Sequence, residues 1–277
     1  MDALREDYGV SAICQAVAMS RSSYYRKPVE RAGAHRIEEA IARVAAEHRG
    51  YGSRRISAQL RLAPYKLVVN RKRAQRVMRQ RGLLIKPRRS KSGVRGVRHG
   101  LPRFPNLMKG LLVTRPNQVW VADITYIPLE SDYARLSLLM DVYTRNIRGW
   151  HISAALGQEL TLASLKKALQ HHSAPEIHHS DQGPQFAGRR YISCLEQHDV
   201  RISMSAAGKP SENGYAERVI RTIKYEEVYQ NEYRNIEEAE REIGHFIDVY
   251  YTHQRIHSAL GNKPPAEFEA TRNIISP

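Results

Sequence analysis

Two rhythms divide the chain. Up to residue 85, apolar positions recur at helical spacing; from 119 to 153 they come in short dense runs broken by turns. In the first part, residues 9–26 read as two short helices. Ser11 caps the first, whose inner positions are Ile13, Ala16 and Val17; Ser20 caps the second, which carries Arg21, Tyr24, Tyr25 and Arg26. The pattern fits a helix-turn-helix and a plain helical hairpin equally well. Residues 28–33 read as a linker. A helix over 36–48 follows, with Ile37, Ile41, Val44 and Ala45 inward. After the turn RGYGSRR, with Ser53 as the cap, Ile56 and Leu60 mark another helix. A third runs from its cap Asn70 to Gly82, with Ala74, Val77 and Met78 inward.

The second half predicts a sheet. VWVADITYI, YARLSLLMDVY (133–143) and IRGWHIS (147–153) form three successive strands joined by short turns, an antiparallel meander. A helix over 160–172, a strand over 176–179, a helix over 189–197 and a strand over 200–204 follow. A further helix begins after Ser211, with Ala216, Val219, Ile220 and Ile223 inward. Residues 235–250 read as one clean helix, with Asn235 and Glu238 as a capping box. The class is α/β: the order β-β-β-α-β-α-β-α makes a mixed sheet flanked by helices, and it is the order of a ribonuclease-H-like fold. Small all-α modules of helix-turn-helix type precede it. The expected divisions are a helix-turn-helix-like segment (1–30), a helical DNA-binding domain (34–85), a basic linker (86–112) and a catalytic core with a helical tail (113–277).

Charge narrows the partners. Residues 1–110 hold 26 Lys+Arg against 7 Asp+Glu, a net of +19, whereas 111–277 hold 18 against 21. From His48 to Ala122 there are 20 basic residues and no acid. A solvated face mixes both signs, so this stretch implies a polyanion, nucleic acid first. Arg71, Lys72, Arg73 and Arg76, with Arg54 and Arg55 before them, are the candidate DNA contacts of the helical domain. The linker KPRRSKSGVRGVRHGLPRFPNLMKG would track phosphates without reading sequence. No run of 18 apolar residues occurs, and the start MDALREDYGV lacks a secretory pattern, so no membrane partner and a cytoplasmic, nucleoid-associated location are expected. Cys14 and Cys194 read as two buried thiols, and no CxxC pair offers zinc ligands.

The chemistry rests on three acids. Asp123 and Asp181 each follow a strand-like run, with 57 residues between them; Glu217 lies 35 residues further, inside the helix after Ser211. Carboxylates delivered to one point from two strand ends and a helix suit two hard divalent cations that activate an attacking oxygen and stabilise a leaving one. Arg221 and Lys224 follow Glu217 on one helix face at i+4 and i+7, placed for DNA phosphates. Glu212 is the competing third acid, but it precedes the helix and breaks the 35-residue spacing.

The chain resembles the orfB subunit of insertion element family 3 transposases, which share their core with retroviral integrases. The resemblance runs through HRGYGSRRI, VNRKRAQRVMRQRGL, PNQVWVADITYI, MDVYTRNIRGW, HHSDQGPQF, SAAGKPSENGYAERVIRTIK and YYTHQRIHSALGNKPPAEF. It implies that Asp123, Asp181 and Glu217 bind two Mg²⁺ or Mn²⁺ ions. Water would free a 3′-OH at an element end, and that 3′-OH would attack a second phosphodiester, with no covalent protein–DNA intermediate. Lys224 would lie near the scissile phosphate. It also implies double-stranded DNA as partner, a homo-oligomer on it, and an upstream orfA subunit as fusion or partner; this chain shows no heptads and would be poorly active alone. Pro184, Phe186, the turn SENG and Thr252 depart from common family residues without removing an acid. A non-catalytic regulator of element ends and a ribonuclease-H-type nuclease are the alternatives. His171, His172, His178 and His179 cluster before Asp181 and read as structural or phosphate-facing, and His253, Arg255 and His257 as packing on the core or touching DNA.

Overall fold

The computed structural model describes residues 8–25, 33–85 and 101–273. Most of the linker expected over 86–112, and Arg26 and the 28–33 link save its last residue, lie outside them.

The first two helices are α1 (Val10–Ala16) and α2 (Arg21–Tyr25). Ser20 Oγ accepts from the Ser23 amide at 3.1 Å and so starts α2. Ser11 does not cap α1: the helix begins at Val10 behind Gly9, so Ser11 is already inside the first turn. Ile13 and Cys14 face inward, while Ala16 and Val17 are exposed. Such a short helix has only one buried turn, and the expected stripe is off by one position.

Next come α3 (Ala34–Glu47), α4 (Ser53–Gln59) and α5 (Arg71–Gln80). Ile41, Val44, Tyr51, Ile56, Leu60, Ala74, Val77 and Met78 close their shared core. Asn70 Oδ1 accepts from the Lys72 amide at 2.8 Å, and Gly82 leaves the helix at φ +69°, where glycine has no Cβ penalty. Ser53 is the first residue of α4 rather than its cap, and Gly52 takes the cap position without a side-chain bond.

The sheet holds β1 (Val119–Pro128), β2 (Tyr133–Asp141), β3 (Ile147–Ser153), β4 (Ile177–Ser180) and β5 (Arg201–Met204) in the order β3-β2-β1-β4-β5. The first three form the antiparallel meander; β4 joins β1, and β5 joins β4, in parallel. Helices α6 (Gln158–His171) and α7 (Arg189–Glu196) cover one face with Trp120, Ala122, Leu165, Tyr191 and Leu195. The other face takes α8 (Gly214–Glu226) and α9 (Ile236–His245), packed on Val119, Val121, Leu136 and Leu138. The strand period of two sends Trp120 and Ala122 one way and Val119, Val121 and Asp123 the other.

The expected single helix over 235–250 is two segments. After His245 the chain winds as a π-helix over Phe246–Gln254. The wider turn lets the Thr252 hydroxyl donate to the Ile247 carbonyl at 2.8 Å. It also sends Tyr251 into the core while Tyr250 turns toward the helical domain, where its hydroxyl lies 2.9 Å from His48 Nδ1. The chain ends its described part in α10 (Pro265–Asn273).

Candidate active site

Asp181 comes one residue after β4 ends, as a strand-end acid should. Asp123 does not sit at a strand end: it lies within β1, opposite Leu138 of β2. The parallel partner is what stops. The β1–β4 pairing runs Val119–Ile177, Trp120–His178 and Val121–His179; two residues further, the same register sets Asp123 beside Asp181. Adjacent strands lie ~4.8 Å apart. Both acids therefore stand where the parallel pair opens, on the sheet face that α8 covers.

Backbone amides hold one oxygen of each. Asp123 Oδ1 accepts from the Ile124 amide at 2.8 Å, and Asp181 Oδ1 from the Gly183 amide at 2.9 Å. A side chain at Gly183 would meet Asp181 Oδ1 at 2.8 Å, so glycine is needed there for close approach. The second oxygen of each accepts no hydrogen bond among the described residues. Burial, then the Asp181 charge, push the Asp123 carboxyl up to about 7; Glu217 adds to the rise, and the Ile124 amide and Lys224 oppose it. Burial also raises Asp181. Glu217, Asp181 and Lys224 thus all act electrostatically on Asp123. Glu217 and Arg221 are exposed, and they form no ion pair with each other among the described residues.

Among the described residues, no three His, Cys, Asp or Glu side chains are gathered tightly enough to grip an ion. Glu217 stands exposed in the first turn of α8. The donor set still fits a hard divalent cation: oxygen donors only, two of them in register, and a buried carboxyl whose proton a cation would displace. Because folding raises the Asp123 pKa, the folded state binds more protons, and stability falls as pH rises from about 4 toward about 7. Asp123→Asn is therefore expected to raise the melting temperature of the metal-free protein at pH 8 by about 2–8 °C, the size of a ~1–2 kcal/mol change, and to have little effect at pH 4. An unchanged or lower melting point at pH 8 counts against the burial described here.

Asn213, which the sequence left unassigned, and His179, read there as structural or phosphate-facing, fix the start of α8. Asn213 is buried and donates through Nδ2 to the Ala122 carbonyl at 3.0 Å, tying the helix start to the residue before Asp123. His179 is buried too. Its Nε2–H donates to the Glu212 carbonyl at 3.2 Å, which leaves Nδ1 to accept from Ser203 Oγ at 2.8 Å. His178 is held neutral near 3 by burial first, with Tyr191 Oη 2.8 Å from its Nε2. The paired histidines before Asp181 are structural. An isolated Asn before a helix gives no signal in the sequence beyond a turn.

Glu212 is occupied elsewhere: Oε2 accepts from the Ala206 amide and from Asn106 Nδ2, each at 2.8 Å, and Oε1 lies 3.7 Å from Lys109. The basic residues separate in the same way. Arg54, Arg71, Lys72 and Arg76 are exposed and Arg73 is partly so; among the described residues none pairs with a carboxylate. Arg55, expected on DNA, instead donates to Glu226 Oε1 at 2.8 Å and lies 4.9 Å over the Tyr51 ring. Arg255 is buried against the same carboxylate.

An HTH-like domain is matched over residues 34–91, an integrase core domain over 113–210 and a second integrase core domain over 198–265. The 31 kDa protein of insertion element IS600 from Shigella sonnei is 34% identical over 92% of this chain and 97% of its own length. The transposase for insertion sequence element IS904 of Lactococcus lactis subsp. lactis is 34% identical over 84% of this chain and 93% of its own. Transposase InsF for insertion sequence IS3A of Escherichia coli K12 is 28% identical over 95% and 94%. No described helix is long and apolar enough to cross a membrane. With an HTH-like domain ahead of an integrase core, and relatives aligned along nearly their whole length, the chain belongs to the IS3-family insertion-sequence transposases, enzymes that cleave DNA and transfer its strands.

Proposed function

We propose that Asp123, Asp181 and Glu217 hold two Mg²⁺ or Mn²⁺ ions and form the cutting and joining site of this transposase. The observation that carries the reading is the register that puts Asp123 beside Asp181 under α8, with Glu217 and Lys224 within electrostatic reach. When bound, two such ions activate the attacking oxygen and stabilise the leaving one. Asp123 and Asp181 offer the fixed ligand oxygens. Glu217 closes over them from the first turn of α8. Lys224, two turns along the same face, holds a phosphate of the strand beside the scissile bond, and Arg221 steadies a neighbouring one. Water opens the phosphodiester at the element end; the freed 3′-OH then displaces a second phosphodiester, so no Ser or Tyr nucleophile is required.

Arg54, Arg71, Lys72, Arg73 and Arg76 bind the terminal-repeat duplex from the helical domain. Joining two ends calls for at least two copies on DNA, acting in the bacterial cytoplasm at the nucleoid, with an upstream orfA subunit as partner or fusion. The test is strand joining on a duplex carrying the terminal repeats that flank the reading frame, run with Mg²⁺, Mn²⁺ or EDTA beside Asp181→Asn. Metal-dependent joined product, absent in the variant, is the expected result. Tight end binding without product from the intact protein would instead support a regulator of element ends, or dependence on the upstream subunit.

A further inference from the structure

Beside α8 lies a cavity of about 830 Å³, walled by the core and its tail and reached from the helical domain by Arg55. Tyr215, Arg218, Val219 and Thr222 of α8 line it; Glu217, Arg221 and Lys224 do not. At 3.6 residues per turn these four positions lie about 100–200° around the helix from Glu217. Five cations reach the cavity from five separate segments: Arg55 of α4, Lys109 before β1, Arg145 between β2 and β3, Arg218 of α8 and Arg255 after the π-helix. Glu212 is the one acid in the lining, and its oxygens are already taken.

Arg55 and Arg255 share the single carboxylate of Glu226. Arg145 and Arg218 meet no carboxylate among the described residues, although they lie in the half of the chain where acids outnumber bases, 21 to 18. Arg145 is also held in a left-handed backbone conformation at φ +62°, costly for a long side chain. Its amide donates to the Asp141 carbonyl at 2.9 Å and its carbonyl accepts from Tyr251 Oη at 3.0 Å. The guanidinium lies 4.4 Å over the Tyr215 ring at the cavity wall. His257, also in the lining, stays neutral: burial first, then the charges of Arg255, Arg55 and Arg145, push it down to about 2. The cavity is thus already positive and keeps two cations without a carboxylate partner among the described residues.

We propose that this cavity is a second DNA site, in which Arg145 and Arg218 grip the sugar–phosphate backbone of the strand that the same protomer does not cut. The inference rests on reading the Glu217 face of α8 as the cutting face. An α-helix is ~10–12 Å across with its side chains, and a major groove is ~12 Å wide and admits one. Seated in the groove at an element end, α8 has the cut strand on its Glu217 side and the complementary strand on its Arg218 side.

Ethylation interference on a terminal-repeat duplex, with the full chain and no metal, tests this. About two ethylated phosphates on the uncut strand are expected to weaken binding of the intact protein and to lose that effect with Arg145→Gln/Arg218→Gln. The slope of log affinity against log salt should fall by about 2 in the double variant and about 1 in Arg218→Gln, a change at an exposed helix position that leaves the core intact. An unchanged slope and pattern, or relieved phosphates on the strand that the intact protein cuts, would overturn the proposal. Because the readout is binding, failure of the cutting reading shows separately, as no metal-dependent cleavage by the intact protein.

Discussion

Glu217→Gln is expected to lower metal-dependent strand joining by about 10³-fold or more, whereas Glu212→Gln leaves it within about threefold. A bound metal supplies several kcal/mol of transition-state charge stabilisation, and each ~1.4 kcal/mol is tenfold in rate. Gln keeps the shape of Glu217 but removes the charge that a divalent cation needs. Glu217 is exposed and makes no ion pair among the described residues, so its loss should not unfold the chain or weaken end binding. Glu212 is the internal control. Its carboxylate is spent on Ala206, Asn106 and Lys109, and Gln retains an oxygen for the first two. The readouts are joined product and end binding on the same duplex. Equal losses in the two variants, or the larger loss in Glu212→Gln, would sink the assignment of Glu217 as the third acid.

The element order of the core was legible because each strand and helix carries one period cleanly: Val119, Val121 and Ile127 against Trp120 and Ala122, and Ala216, Ile220 and Ile223 along α8. What failed depends on contacts far away in sequence. Asp123 looked like a strand end because its polar side chain interrupts an apolar run. β1 continues past it because β2 still pairs there after β4 has stopped. The π-helix after His245 keeps the composition of an α-helix, and only the need to face the core and the helical domain at once widens its turns. Arg55 was placed on DNA for lack of an acid nearby in sequence; its partner Glu226 is 171 residues away. Arg71, Lys72 and Arg76 differ in that no carboxylate pairs with them among the described residues, although Arg81 of the same stretch meets Glu38. Charge patterning finds unpaired arginines only where no distant carboxylate arrives.

Glu226→Ala is expected to cost about 3–5 kcal/mol, the scale for breaking a buried ion pair from one side, and to lower the melting temperature by about 10 °C. The side chains of Glu226 and Arg255 are 5% and 6% exposed. Arg255 donates to the carboxylate through Nε at 2.6 Å and Nη2 at 2.7 Å, and Arg55 adds a third bond at 2.8 Å. Burial alone raises the Glu226 carboxyl; the hydrogen bonds and charges of Arg255, then of Arg55, outweigh it and hold the group below its ordinary range. Its contribution is therefore present above the unfolded pKa of ~4.3 and is lost as pH falls through the folded value. Without Glu226, Arg255 is left buried beside Arg55 with no anion. Arg55→Ala should cost far less, about 1 kcal/mol, because that side chain is 30% exposed and the Arg255 pair survives. Thermal unfolding of the full chain near pH 7 measures both, and a drop under about 2 °C for Glu226→Ala would refute the account. The joint also has a mechanical meaning. Ile256 packs into the core of the helical domain, and its amide donates to Tyr51 Oη at 2.8 Å. A side chain on Gly50 would meet Glu226 Cγ at 2.0 Å, so the turn after α3 sits directly on the end of α8. The helix that carries Glu217 in its first turn is thus fastened at its far end to the domain proposed to hold the terminal repeat. The distance from bound repeat to cut phosphate is then set by that joint. In Arg55→Ala, which keeps the fold, cleavage is accordingly expected to spread to neighbouring phosphates while end binding persists.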